Sequence, residues 1–176
     1  MKIKSTKFKD LKVISSPIFR DSRGNFREVF KKNIFKNTKF IFNISSTSKK
    51  NVLRGLHLQT RYPQGKFLSV LKGEVFDVAV DLRKNSKNFG KYFAINLSDK
   101  NGLSVYIPPG FAHGFLCLSK ENIVCYNCTN YRSEKHELGI KWNDKDINIK
   151  WPIKKPTLSY KDKKNISLIE YLKLHT

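Results

Sequence analysis

The sequence predicts an all-β domain, a jelly-roll β-barrel with short peripheral helices. Three observations carry this reading. Short segments rich in Val, Ile, Phe and Tyr recur along the chain, and several alternate apolar with polar residues. Turn signals separate them at Lys72-Gly73, Asn85-Ser86, Lys100-Asn101-Gly102 and Pro108-Pro109-Gly110. No long helical period is interleaved, which excludes repeated β-α-β units and leaves a sandwich or barrel.

In chain order, Asn33–Asn37 reads as a short turn of helix. Strands follow at Phe67–Leu71, Val75–Leu82, Tyr92–Leu97, Ser104–Ile107, Phe115–Leu118 and Ile123–Tyr131. In the last of these, alternation puts Tyr126 and Cys128 on one face and Cys125 on the other. A second helix is predicted over Ser167–Leu174, with Ser167 as cap and Glu170 at the capping-box position. The stretch after Trp151-Pro152 is more polar but keeps Trp151, Ile153, Leu158 and Tyr160, so it is expected to pack on the barrel. There is no repeat and no linker, and residues 1–176 read as a single domain. With 176 residues and 39% apolar content, one core would bury roughly two-thirds of the surface the unfolded chain exposes.

Composition narrows the function classes. No run of about 18 apolar residues is present, so no membrane-spanning helix is expected. The start, Met1-Lys2-Ile3-Lys4-Ser5-Thr6-Lys7-Phe8, lacks the apolar stretch and cleavage site of a signal peptide. Cys117, Cys125 and Cys128 form no disulfide pattern, and the C-x-x-C pair has neither a second ligand pair nor a following helix. These read as reduced thiols, and the expected location is the cytoplasm. The formal net charge is +21, which favours anionic partners. The lysines are scattered rather than gathered in a stripe, and no nucleic-acid-binding signature accompanies them. A small diphosphate ligand uses the same field, so no nucleic acid partner is expected.

Two segments carry chemistry. One is Arg54-Gly55-Leu56-His57-Leu58-Gln59 with Gln64-Gly65-Lys66. The other is Pro108-Pro109-Gly110-Phe111-Ala112-His113-Gly114-Phe115, which with Gly102 ahead of it follows the cupin pattern G-x5-P-x-G-x2-H. Metal-binding cupins place a His-x-His pair and a Glu before this motif. Here Gln59 stands at the second His, and Lys66 stands roughly at the Glu. An ammonium does not ligate a metal, so no metal is expected. A fixed cation at that place stabilises an oxyanion much as a metal does.

The chain resembles the dTDP-4-dehydrorhamnose 3,5-epimerases. The resemblance rests on these segments and on Phe19-Arg20-Asp21-Ser22-Arg23-Gly24-Asn25-Phe26-Arg27-Glu28, the run from Gly73 to Arg83, Gly139-Ile140-Lys141-Trp142-Asn143-Asp144, Ile149-Lys150-Trp151-Pro152 and Leu158-Ser159-Tyr160-Lys161-Asp162. It extends from about Phe19 to Asp162. It implies proton chemistry beside the C4 ketone of a nucleotide-diphospho-4-keto-6-deoxy sugar, with no cofactor. By resemblance His57 is the base, Asp162 its partner, Lys66 the enolate-stabilising cation and Tyr126 the acid on the opposite face. Arg23, Glu28, Arg54, His113 and Glu137 match substrate-contacting positions. Asn43, Gln59, Arg132 and Lys161 complete the expected substrate-binding set. A homodimer with exchanged N-terminal strands is expected on the same ground.

Taken singly, these residues have plainer readings. His57 would be a satisfied strand histidine, Tyr126 core packing, Asp162 a solvated charge and Lys66 one surface lysine among many. Only the ordered set assigns them chemistry. Arg20 and Arg27 are read as surface charge. Two departures from the family pattern bear on the nucleotide: Tyr131-Arg132 replaces a tyrosine pair, and Phe42-Asn43-Ile44 replaces a polar triplet. Other readings therefore stay open. They are a 3-epimerase, a GDP-linked deoxyheptose epimerase, a 3,4-ketoisomerase of the same fold, a metal-dependent cupin, and a non-catalytic cupin binding a polyanion.

Overall fold

A computed structural model describes residues 1–175. Strands β1 (Lys2–Ser5), β2 (Lys12–Ser15), β3 (Phe19–Asp21), β4 (Gly24–Phe26) and β5 (Phe42–Lys49) come first. They are followed by β6 (Leu53–Gln59), β7 (Lys66–Lys72), β8 (Glu74–Asp81) and β9 (Tyr92–Ser98). Then come β10 (Leu103–Ile107), β11 (Phe111–Cys117), β12 (Glu121–Cys128) and β13 (Glu137–Gly139). Two short helices, α1 (Tyr160–Lys163) and α2 (Leu168–His175), close the described chain.

Two antiparallel sheets face each other as a jelly roll. One runs β1-β2-β10-β7-β12-β5, the other β13-β6-β11-β8-β9, and β3-β4 forms a separate hairpin. The central core lies between the sheets. Leu68 and Val70 of β7, Val124 and Tyr126 of β12, Val75 and Ala79 of β8, and Phe111 and Phe115 of β11 all point into it. Alternate residues of the same strands serve the outer faces. Val78, Val80 and Ala112 meet Ile140, Ile147, Ile149, Leu168 and Tyr171 of the C-terminal segment. Phe67 packs with Ile14 and Phe35 on the other side. Burial on both faces explains why β7, β8 and β11 read as nearly continuous apolar runs.

The all-β prediction holds; β7 to β12 were expected by range, β1 to β6 and β13 were not, and the remaining differences are local. β11 begins at Phe111 rather than Phe115, because its first half is written in Gly and His. β12 ends at Cys128, before a turn. The early helix is a single 3-10 turn at Lys32–Ile34. β5, with sequence Phe-Asn-Ile-Ser-Ser-Thr-Ser-Lys, lacks an apolar period because it is an edge strand largely open to solvent. The α2 cap forms as expected: the Glu170 amide donates to Ser167 Oγ, and the Ser167 amide donates to the Glu170 carboxylate. Cys125 is half-exposed while Cys117 and Cys128 are buried, and all three are free thiols.

Candidate active site

One end of the barrel opens into a cavity of about 560 Å³ between the two sheets, a size suited to a small organic ligand. The five-stranded sheet contributes His57 and Arg54 from β6, His113 from β11 and Glu137 from β13. The six-stranded sheet contributes Lys66 from β7 and Tyr126 from β12. The polar C-terminal stretch covers the mouth with Ser159, Lys161 and Asp162.

A β-bulge builds the first wall. His57 pairs with His113, and Arg54 pairs with Phe115, so Gly55 and Leu56 together oppose the single residue Gly114. His57 and Arg54 are three residues apart, and in a regular strand they would face opposite ways. The extra residue turns both onto the cavity face. Gly55 has φ 120°, and a Cβ there would lie 2.6 Å from the Gly114 Cα. Only glycine satisfies both conditions.

His57 Nε2 lies 2.5 Å from Asp162 Oδ1. Asp162 is buried in α1. Its amide and its Oδ2 both bond to the hydroxyl of Ser159, the α1 cap. Burial pushes the Asp162 pKa up, but the bonds from His57, Ser159 and Asn165 together hold it below the usual carboxylate range. The ionised carboxylate only accepts, so in the neutral form of the ring Nε2 carries the hydrogen and Nδ1 the lone pair. Nδ1 is 3.8 Å from Glu137 Oε1, outside hydrogen-bond distance, and is free to take a proton from a ligand.

Lys66 lies in the cavity beside Cys128, its register partner in β12. Among the described residues its ammonium makes no hydrogen bond or ion pair. Burial lowers its pKa, opposed by Cys128, Glu137 and Asp77. Tyr126 pairs with Leu68, one step of the same face away from Lys66. Its hydroxyl sits 3.4 Å from Ser46 Oγ, and burial raises its pKa strongly, so it stays protonated. His113 is 4% exposed and bonds through Nε2 to Asp77 Oδ2 at 2.8 Å. Burial lowers the His113 pKa, against the opposing effect of Asp77.

The remaining expected residues divide. Gln59 lines the cavity, but its amide nitrogen donates to the carbonyls of Tyr62 and Tyr131, and its oxygen accepts from the Ser133 amide. It therefore shapes the rim. Arg132 reaches Glu137 at 3.0 Å and Glu134 at 2.8 Å, and Lys161 reaches Glu137 at 3.0 Å. Three expected contacts lie outside the cavity of the single chain. Arg23 sits at the tip of the β3-β4 hairpin, paired with Asp21. Glu28 pairs with Lys31. Asn43 faces outward from β5 and bonds to the Tyr126 carbonyl and to Asn127. Arg27 is not plain surface charge: it is half-buried and donates to the Val70 carbonyl at 2.6 Å.

The sequence reading missed Asp77, Ser46 and Ser159. Asp77 was legible, since alternation with Val75 and Ala79 points it inward. Ser46 lies in a strand with no apolar period, and the role of Ser159 depends on where α1 folds. A second concavity lies among turns at the opposite end of the barrel, lined by Lys49, Lys72, Lys100 and Lys120 together with Glu74, Asp99 and Glu121. It holds none of the expected residues.

The family model for dTDP-4-dehydrorhamnose 3,5-epimerase matches residues 5–170. The chain belongs to the dTDP-4-dehydrorhamnose 3,5-epimerase family. A dTDP-4-dehydrorhamnose 3,5-epimerase of Shigella flexneri is 45% identical over 168 residues, 92% of this chain and 93% of that protein. One from Methanothermobacter thermautotrophicus is 47% identical over 145 residues, 80% of this chain and 78% of that protein. The crystal structure of the Legionella pneumophila dTDP-6-deoxy-D-glucose-3,5-epimerase, in complex with dTDP-4-keto-L-rhamnose, superposes with a TM-score of 0.90. It is 40% identical and covers 96% of this chain and 93% of that chain. At the two positions where a metal-binding cupin has ligands, Gln59 is engaged by backbone and Lys66 is a cation. No three His, Cys, Asp or Glu side chains group to hold one among the described residues.

Proposed function

We propose that this chain inverts C3 and C5 of a dTDP-linked 4-keto-6-deoxyglucose by enolisation, with His57 as base and Tyr126 as acid. One observation carries the reading: the base stands on one sheet, and the acid and the cation stand on the sheet facing it. Nδ1 of His57 takes the proton from the carbon beside the ketone, and the bonding electrons move into the ring toward the C4 oxygen. The ammonium of Lys66 stabilises that oxygen. Tyr126 returns a proton to the same carbon from the other face, which inverts it, and solvent restores both groups. Asp162 stabilises the imidazolium formed in the first step. Arg54 and Lys161 favour the diphosphate.

The family relatives favour thymidine diphosphate over guanosine. We further propose that the working form is a cytoplasmic homodimer. Among the described residues the β3-β4 hairpin pairs only with itself, and it exposes Phe19 and Phe26. A second copy covering these rings would bring Arg23 and Glu28 to a neighbouring cavity.

Incubation in deuterated water with dTDP-, GDP- and UDP-linked 4-keto-6-deoxy sugars tests the function. Label is expected at C3 and C5 with the dTDP sugar. Label at C3 alone reduces the activity to a 3-epimerase, and a 3-keto product makes it a ketoisomerase. No exchange with any sugar, together with salt-dependent DNA binding, refutes the enzyme reading. Tyr126→Phe should keep wash-in of label while impairing inversion. Sedimentation velocity reads the dimer.

A further inference from the structure

Glu137 has more surrounding it than a sugar contact needs. Its side chain is 11% exposed and faces Nδ1 of His57 through Oε1, while Oε2 is held by Arg132 and Lys161. The two cations are half-exposed, at 50% and 52%, so they are free to move at little cost. His57 therefore lies between two carboxylates, Asp162 at Nε2 and Glu137 at Nδ1. Burial raises the Glu137 pKa, but Lys161, His57 and Arg132 together hold it below the usual carboxylate range, so the second carboxylate is charged. Its charge is largely balanced by Arg132 and Lys161.

We propose that Glu137 is a positioning residue that couples diphosphate binding to the basic strength of His57, because the diphosphate draws Arg132 and Lys161 away from it. This rests on His57 being the base. The chemistry is a competition for cations. A diphosphate offers more charge and more acceptor oxygens than one carboxylate, and Arg binds phosphate through two parallel hydrogen bonds. Once relieved of its counter-charges, Glu137 presents a bare carboxylate to Nδ1, and a carboxylate beside an imidazole favours the protonated ring. The base is strengthened only when the nucleotide is in place. The other groups that face His57 are Lys66 from β7, His113 from β11 with Asp77 of β8 behind it, Arg54 from β6, and Tyr126 from β12. Among them Lys66 and Arg54 oppose imidazolium formation, and neither pairs with Glu137.

The test is linkage between nucleotide binding and protons. dTDP-glucose is the probe, because it has no 4-ketone to react and each of its phosphates is substituted twice, by one ester and the shared anhydride oxygen, so neither holds a proton near neutral pH. Isothermal titration near pH 6.5, in buffers of different ionisation enthalpy, is expected to show net proton uptake by the native protein. Glu137→Gln should bind within a few-fold of native affinity with uptake cut to less than half. Its C3 exchange profile should have an acid limb about one pH unit lower. Arg132→Gln should move the limb the other way and also bind with less uptake. Native-like uptake in Glu137→Gln would show that the phosphates act on the site without Glu137, and overturns the proposal. So does a tenfold affinity loss with an unmoved pH profile, which makes Glu137 a ligand contact. Binding with uptake but no sugar exchange would sink the epimerase reading alone. No binding of dTDP-glucose sinks the nucleotide reading and this one together.

Discussion

Replacing Asp162 with Asn tests the base directly. The substitution keeps volume and leaves the Ser159 cap in place, since the Asp162 amide that donates to Ser159 Oγ is unchanged. It removes the charge 2.5 Å from His57 Nε2. A hydrogen bond to a charged group contributes about 1.5–3 kcal/mol, and about 1.4 kcal/mol is tenfold in rate. Loss of charge support for the imidazolium therefore slows proton abstraction roughly 10- to 150-fold. A second effect adds to it. The Asn amide donates to Nε2, which drives the ring hydrogen onto Nδ1, the nitrogen that must be bare. Tautomer loss of this kind has cost up to about 10⁴ in a His–Asp pair of a protease. The expected outcome is a fall of about 10³-fold in wash-in of deuterium at C3, followed by NMR in single-turnover conditions, with native circular dichroism and affinity for dTDP-glucose. A folded variant that exchanges within threefold of the native rate would refute the dyad.

Three further outcomes follow from the same geometry. Lys66→Met keeps the aliphatic length and removes an ammonium that has no partner among the described residues, so exchange should fall about 10²- to 10³-fold while the thermal midpoint stays level or rises. Gly114→Ala sets a Cβ 2.6 Å from the Arg54 carbonyl oxygen and 3.0 Å from Leu56. Overpacking of that kind costs about 1–3 kcal/mol, read as a lower urea midpoint, and it should disturb activity because the same bulge aims His57 and Arg54. Acid should unfold the protein by a defined route. Asp162, Glu137 and Asp81 have folded pKa values below their ordinary ones. Their stabilisation is therefore complete above about pH 5 and is lost as pH falls through the depressed values. Urea unfolding at stepped pH should show stability dropping below that point, with a shallower drop in Asp162→Asn.

The strands buried on both faces were legible in the sequence, because their apolar residues are dictated by the core. The edge strand β5 was not, since Asn43, Ser45 and Thr47 face water and carry no period. Chemistry was legible where a motif is continuous, as at Arg54 to Gln59. It was illegible in the geometry that makes the motif work. Nothing in the spacing of Arg54 and His57 says that they share a face; that follows from a bulge, for which Gly55 is the sole local sign. Contact between His57 and Asp162 spans 105 positions and depends on a one-turn helix that Ser159 caps. Arg23 and Glu28 show the remaining limit, because a single chain keeps them away from its own cavity.

The two-sheet architecture also separates the candidate reactions. An enolate is flat, and to invert its carbon the proton must leave from one face and return to the other. A sandwich sets two walls roughly 10 Å apart, and a sugar ring lying between them shows one face to each. His57 stands on the β6-β11 wall and Tyr126 on the β7-β12 wall, where the His113 and Tyr126 rings approach to 6.4 Å. Moving the ketone from C4 to C3 asks for something else. The proton taken from C3 is delivered to the neighbouring C4, and one base on one face suffices. In that reaction a protonated tyrosine on the opposite wall, held by burial and by Ser46, has no step to perform. In an epimerase it supplies the inversion. Lys66 sits on the same wall as Tyr126, one step along the face, so in the proposed reaction a C4 oxygen held by Lys66 would fix which of the ring's faces meets the tyrosine.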